Sequence, residues 1–470
     1  MTTARQAPPE SQTREYGDRV AAVEPGGVEF IPLAERHGSP IQLLWTWASP
    51  NMEFATVFVG VLAVAVFGLS FWMATFAIIL GSGLGAISQG ALSTWGPRHG
   101  LAQMVLGRSA FGFFGNILPA GLMSITAGIG WFAVNSVSGA YAINTLTHLP
   151  KSASLLLVVA VQIVVAFFGH NLVQTFERFA FPFLAVIFLI SSVDILSKSH
   201  LSTPGHGGIP TLGAFLIEVG ASFGYAAGWN PYASDYTRYL KPDVSSKAVG
   251  LYAGLGIFLS CAILQIVGAA SVTITGIDPS GTPTAQFTQA MPTVIADLTL
   301  LAIAVGAVSA NVLNIYSGTM SFLAMGFNIP FALRRAIIAI VFGAIGLAVA
   351  FTGLHDAGEK YENFLLIIAY WIGPWLGIVF TDRWLRRRSL DQLNAIVTDR
   401  RFQNWCGPIA MLVGIVVSVW LFSNQTKYLG PVPSHFPSVG DITFEVGFVI
   451  SALLYLALFN LMKPKAAVDV

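Results

Sequence analysis

Charge is scarce in this chain: only 10% of its 470 residues are Asp, Glu, Lys or Arg, against about 25% in an ordinary soluble domain. With 54% hydrophobic residues, water is not its main solvent. The formal net charge is +1, so no basic or acidic excess points to nucleic acid or another polyion. Cysteine is almost absent. Cys261 and Cys406 both sit in apolar stretches and read as small core residues, which excludes a disulfide scaffold. No paired-cysteine motif and no His-Glu-x-x-His occurs. Gly81-Ser82-Gly83-Leu84-Gly85 follows no strand and lies inside an apolar helix, where close helix packing explains it better than phosphate binding. The sequence therefore predicts no enzyme and no cofactor. Residues 1 to 38 are polar, lack the apolar region of a secretory signal, and read as a cytoplasmic tail.

What is present is apolar length. About 20 residues of helix cross a hydrocarbon layer, and twelve runs approach or exceed that. They lie at 41 to 66, 69 to 93, 112 to 146, 153 to 170, 176 to 197, 211 to 237, 246 to 275, 293 to 325, 333 to 354, 361 to 385, 405 to 423 and 441 to 462. The third and eighth exceed one crossing and should include a tilted or interfacial piece. Lipid satisfies no open backbone group, and the runs do not alternate as barrel strands would, so an all-α integral membrane fold of twelve helices is expected. With the N-terminus inside, 20 of the 24 Lys and Arg fall on the cytoplasmic side and only Lys151, Lys198, Lys360 and Lys427 outside. That places both termini in the cytoplasm and the protein in the plasma or inner membrane. Runs six to ten begin 170 to 185 residues after runs one to five. Five is odd, so the second unit enters from the opposite side, an inverted repeat. The expected units are 39–210, 211–390 and a final pair of helices in 391–470.

In such repeats the site is expected where the first helix of each unit is interrupted. Run one contains Trp45-Thr46-Trp47-Ala48-Ser49-Pro50-Asn51 and run six Gly228-Trp229-Asn230-Pro231-Tyr232, with Pro50 and Pro231 181 residues apart. Each proline removes a backbone donor and frees carbonyls. Asn51, Asn135, Asn311 and Asn314 offer uncharged donors and acceptors near mid-membrane. With Trp47, Trp131, Trp229 or Phe54 beside them they suit a planar heterocycle, read at its edge and stacked on its face. Glu53 is the most central acid and a candidate for proton coupling. Ser309, with carbonyls around Ala48 and Ser49, is the corresponding candidate for Na⁺. Glu218, Asp235 and Asp297 lie nearer helix ends, where interfacial solvation is expected.

These segments resemble a known family. Trp47 through Met52, Gly96 through Val105 with Arg108, Gly130-Trp131 through Asn135, Gly228 through Leu240, and Asn314-Ile315-Tyr316-Ser317 are similar to the purine-cytosine permease branch of the nucleobase-cation-symport family, over residues 30 to 460. The resemblance implies a LeuT-like fold of two inverted five-helix repeats plus two helices. It implies import of a nucleobase, cytosine or purine, with H⁺ or Na⁺, and substrate contacts at Asn51, Asn135 and Asn314 with Trp131 and Trp229 near the pocket. Ala310 and Glu53 depart from the family pattern. Other members carry allantoin, hydantoins, thiamine or pyridoxine. A channel or a non-transporting receptor on the same bundle is the alternative class, and the paired interruptions favour alternating access over both. Oligomeric state is left open by the sequence.

Overall fold

Every long apolar run forms helix, because in lipid only a helix satisfies its own backbone. The structure is a computed structural model that describes residues 27–167, 170–278, 280–327, 334–354, 357–387 and 392–464. Most of the predicted tail, with Arg5, Arg14 and Arg19, lies outside the described residues, as do Arg388 and Lys465.

The helices are α1 Gln42–Ala48, α2 Phe54–Ala65, α3 Phe71–Ser93, α4 Ile117–Thr147, α5 Lys151–Phe167, α6 His170–Lys198, α7 Thr211–Ala227 and α8 Ala233–Thr237. They continue with α9 Ser246–Ser271, α10 Thr293–Ala324, α11 Arg334–Gly353, α12 Ala357–Leu385, α13 Cys406–Phe422 and α14 Thr443–Met462. Helix stands at each of the twelve predicted runs. By length and apolarity, seven of the described helices can cross a membrane, and eight when the bent pair Gln42–Asn51 and Phe54–Ala65 counts as one span. α5, α11 and α13 contribute the shorter apolar stretches Lys151–Val164, Ile340–Gly353 and Cys406–Phe422.

The two over-long runs are resolved differently. Residues 112–116 precede α4, whose path is widened by a π turn at Thr126–Trp131. α10 is a single helix of 32 residues, about 48 Å at 1.5 Å per residue, longer than the hydrocarbon layer and so tilted.

Two groups of helices pack around the centre. α1, α2, α3, α7 and α9 form one, and α4, α5, α10 and α11 the other, with α6 against both α9 and α10. α12 joins α7 to the α13–α14 pair. Glycines allow close approach in the first group: a Cβ on Gly81 would lie 2.5 Å from the Val219 carbonyl oxygen, and one on Gly85 2.7 Å from the Ala226 Cβ. Gly81 and Gly85 thus serve the α3–α7 contact, as the sequence predicts for that stretch.

Candidate functional site

Two interruptions position the site. In the first, Pro50 offers no N–H, Ser49–Asn51 form a 3-10 turn, and Glu53 is extended (φ −151°, ψ 175°). α1 and α2 therefore meet at 58°. Gly306 of α10 makes room for the bend, since a Cβ there would lie 2.1 Å from the Met52 carbonyl oxygen. The second interruption is milder than predicted. Pro231 lies in a 3-10 turn, Asn230–Tyr232, while Gly228, Trp229 and Tyr232 keep right-handed helical angles. It is a loosened turn between α7 and α8.

All six predicted substrate contacts converge here. The Asn51 side chain donates to the Trp47 carbonyl (2.6 Å) and accepts from Trp229 Nε1 (2.9 Å), so it ties one interruption to the other. Asn311 Oδ1 accepts from Asn135 Nδ2 (3.0 Å) and Asn314 Nδ2 (3.3 Å). Asn314 Oδ1 in turn accepts from the Tyr232 hydroxyl (2.8 Å). Trp229 meets Tyr232 edge-on with ring centroids 5.4 Å apart, which joins the two halves of the cluster. The π turn aims Trp131 at the same place: a Cβ on Gly228 would sit 3.3 Å from its indole nitrogen. Every one of these side chains is buried.

The predicted ion-coupling residues separate into two places. Glu53 heads α2 with its carboxylate 3.4 Å from the Tyr225 hydroxyl, which also contacts Thr56. Ser49, following Ala48 at the end of α1, lies 3.2 Å from Ser309 Oγ. There the structure supplies a group missed by the sequence reading. Ser309 donates to both carboxylate oxygens of Glu177 on α6 (2.8 and 2.7 Å), and Glu177 is fully buried. Its neighbour Arg178 is exposed, so in sequence the pair reads as the charged, solvated end of a helix. The signal was helical periodicity: Glu177, Ala180, Leu184, Ile187, Ser191 and Ile195 are buried at spacings of three and four. Gln162 and Ser136 were missed likewise. Ser136 Oγ bonds Gln162 Oε1 (2.9 Å) and accepts from Asn311 Nδ2 (3.1 Å).

Two further expectations are corrected. Glu218 and Asp235 are buried, at 0% and 1% exposure, not solvated at an interface, because both face other helices. Asp235 accepts from the Gln103 backbone N–H (2.9 Å) and Glu218 from Ser222 (2.6 Å). Asp297 is exposed, as expected. Gly220-Ala221-Ser222-Phe223-Gly224 has the spacing of a nucleophile elbow but lies wholly inside α7, with no strand before it.

The cluster is closed on one side and approached by a cavity on the other. Around α8 the Arg238 guanidinium donates to the Gly27 carbonyl (2.8 Å) and Tyr316 hydroxyl (3.2 Å), and Arg36 donates to the Pro97 carbonyl (2.6 Å). The segment before α1 is thereby strapped across that face. Opposite, an apolar cavity of about 260 Å³ is lined by Phe54, Phe58, Val137, Tyr141, Tyr361 and Phe364 among others. None of the six predicted contacts lines it. Trp131 meets Phe364 and Tyr361 edge-on at 5.2 and 6.4 Å, so aromatic rings stand between cavity and asparagines.

Residues 30–447 match the family described as permease for cytosine/purines, uracil, thiamine, allantoin. The chain is 28% identical to the purine-cytosine permease fcyB of Emericella nidulans over 474 residues, covering 95% of this chain and 92% of that one. It is 27% identical to the purine-cytosine permease FCY2 of Saccharomyces cerevisiae over 473 residues, 94% and 86% of the two chains. Its fold is that of Mhp1, a nucleobase-cation-symport-1 family transporter solved in a closed conformation with bromovinylhydantoin bound. The TM-score there is 0.72 at 21% identity, over 93% of this chain and 95% of Mhp1.

Proposed function

We propose, from the premise that this chain belongs to the family of permeases for cytosine/purines, uracil, thiamine and allantoin, that it imports a nucleobase, cytosine or a purine, by proton symport with alternating access. The chain is a multi-pass membrane permease and not an enzyme. The observation that carries the substrate reading is the convergence of Asn51, Asn135, Asn311 and Asn314 with Trp131 and Trp229 around the two interruptions. Amides that bond each other at 3.0 and 3.3 Å, or accept from an indole N–H at 2.9 Å, can exchange those bonds for the donor and acceptor edge of a heterocycle, and indole faces can hold its plane. Entry is from the apolar cavity, past Trp131, Tyr361 and Phe364. Exit requires Arg238 and the strap to let go.

Coupling is assigned to Glu177. Two hydroxyls, Ser49 and Ser309, converge beside its buried carboxylate, where a proton can be taken up and released as the helices move. A Na⁺ ion held by Ser49, Ser309, the Ala48 carbonyl and Glu177 is the second reading, since the same oxygens suit a hard cation. Glu53, at the head of α2, is the alternative carboxyl. Uptake of radiolabelled cytosine, adenine, hypoxanthine and allantoin into proteoliposomes, with and without a proton uncoupler, tests substrate and ion together. Glu177→Gln is expected to exchange substrate but not to concentrate it. If that variant accumulates substrate normally while Glu53→Gln does not, coupling belongs to Glu53. If removing Na⁺ alone stops uptake, the proton reading is wrong.

A further inference from the structure

A second acidic cluster lies in the half of α7 away from Arg238, separate from the asparagines and from Glu177. Glu218, Ser222 and Tyr225 fall at spacings of four and three, so they share one face of α7, and Trp229, four residues on in the turn that follows, continues its line. That face leads from Glu218 toward the Tyr225–Glu53 contact and the Trp229–Asn51 bond. Ser82 of α3 and Gln265 of α9 close the cluster. Glu218, Ser222, Ser82 and Gln265 are all 0% exposed.

The hydrogens in this cluster do not add up if Glu218 is ionised. Three contacts are made: Ser82 Oγ to Gln265 Oε1 (3.2 Å), Ser222 Oγ to the same Oε1 (2.8 Å) and Ser222 Oγ to Glu218 Oε1 (2.6 Å). The two serines bring one hydrogen each, two for three contacts, and a hydrogen on Glu218 completes the third without sharing. Turning the Gln265 amide over would supply it. That leaves an ionised carboxylate buried on a single hydroxyl donor, the amide oxygen takes the unpartnered place that Nε2 holds now, and Glu218 Oε2 stays unpartnered as well. An uncompensated buried charge of this kind is strongly disfavoured. The neighbours do not help: α12 presents a second carboxyl, Glu362, and Tyr361, Cys261 of α9 shares the space of Tyr361, and α3 carries no titratable side chain.

We propose that Glu218, bridged by Ser222 to Gln265 and Ser82, is a second proton-binding site, which loads on the cavity side of the cycle and feeds the Tyr225–Glu53 end of the same helix face. This rests on the proton-symport reading above and extends it from one proton to two.

The experiment uses the full-length protein in proteoliposomes, comparing Glu218→Gln, Ser222→Ala and Glu177→Gln. Gln keeps the shape and hydrogen-bonding capacity of a neutral carboxyl, so Glu218→Gln is expected to retain substrate exchange. Its uptake should lose one proton per substrate in stoichiometry, seen as the loss of about tenfold per pH unit in the dependence of apparent affinity on external pH. Should Glu218→Gln not assemble, Ser222→Ala isolates Glu218 from Gln265 and should displace the same pH profile. Stoichiometry and pH profile unchanged in both variants, with Glu177→Gln still uncoupled, overturns the proposal and leaves the symporter reading intact. Absence of any pH dependence in the parent protein overturns both. Thermal stabilisation by Na⁺ that Glu218→Gln abolishes overturns the identity of the ion.

Discussion

A single amide oxygen, Asn311 Oδ1, accepts from both Asn135 and Asn314, while its own Nδ2 reaches the Phe132 carbonyl at 2.9 Å and Ser136. Asn311 therefore organises the cluster, and Asn314, with Tyr232 as its other partner, is the member freer to turn toward a ligand. Asn314→Ala should weaken substrate binding by about ten- to hundredfold, because a desolvated polar edge left unpaired costs about 1–3 kcal/mol. Asn311→Ala removes the bonds to four partners at once and should lower the melting temperature more than Asn314→Ala does. Ligand binding and thermal unfolding of the purified variants check this. An unchanged affinity in Asn314→Ala would reject that residue as a contact. These asparagines were legible in the sequence because an uncharged amide in an apolar run is conspicuous. Glu177 was not, because a carboxylate beside an arginine reads as a helix end until periodicity separates the buried side chain from the exposed one.

Among the elements, the first interruption depends on a partner that no local signal reveals. Pro50 predicts where the chain leaves the helix, but the 58° bend fits only because α10 carries no side chain at Gly306, 256 residues away. A methyl group there would overlap the Met52 carbonyl at 2.1 Å and Glu53 Cβ at 2.8 Å, so Gly306→Ala should displace the head of α2 and lower both transport and thermal stability. Gly83→Ala is the control. Its nearest neighbour would be Phe258 at 3.8 Å, ordinary contact, and replacing a half-buried mid-helix glycine is worth about 0.5–1 kcal/mol in favour of Ala. Wild-type transport in Gly306→Ala would show that the hinge has slack. The same limit explains the π turn in α4 and the mildness of the second interruption. Both are set by what packs against the backbone, and proline spacing says nothing about that.

For the whole molecule, orientation is the property that decides which side of the membrane the cavity and the strap face. The charge asymmetry predicts one cytoplasmic face, and contacts gather its members: Arg36 on Pro97, Arg108 on the Ala324 and Val397 carbonyls, Arg238 on Gly27, Arg386 on Asp382 and Arg400 on the Gly326 carbonyl. Lys198 instead bonds the Ala290 carbonyl and Lys360 the Thr352 carbonyl, on segments that belong with the cavity. If positive charge is retained inside, the strapped face is cytoplasmic and the cavity opens outward. Both native cysteines are buried, so a membrane-impermeant maleimide should find little background. Lys427→Cys, exposed beside the short hairpin, should label in intact cells. Lys241→Cys, exposed just after α8, should label only once the membrane is opened. The reverse pattern would invert the molecule, turn the cavity toward the cytoplasm and make the strap an external gate. The proton gradient would then have to load Glu177 and Glu218 from the strapped side, and entry by way of the cavity would fall with it.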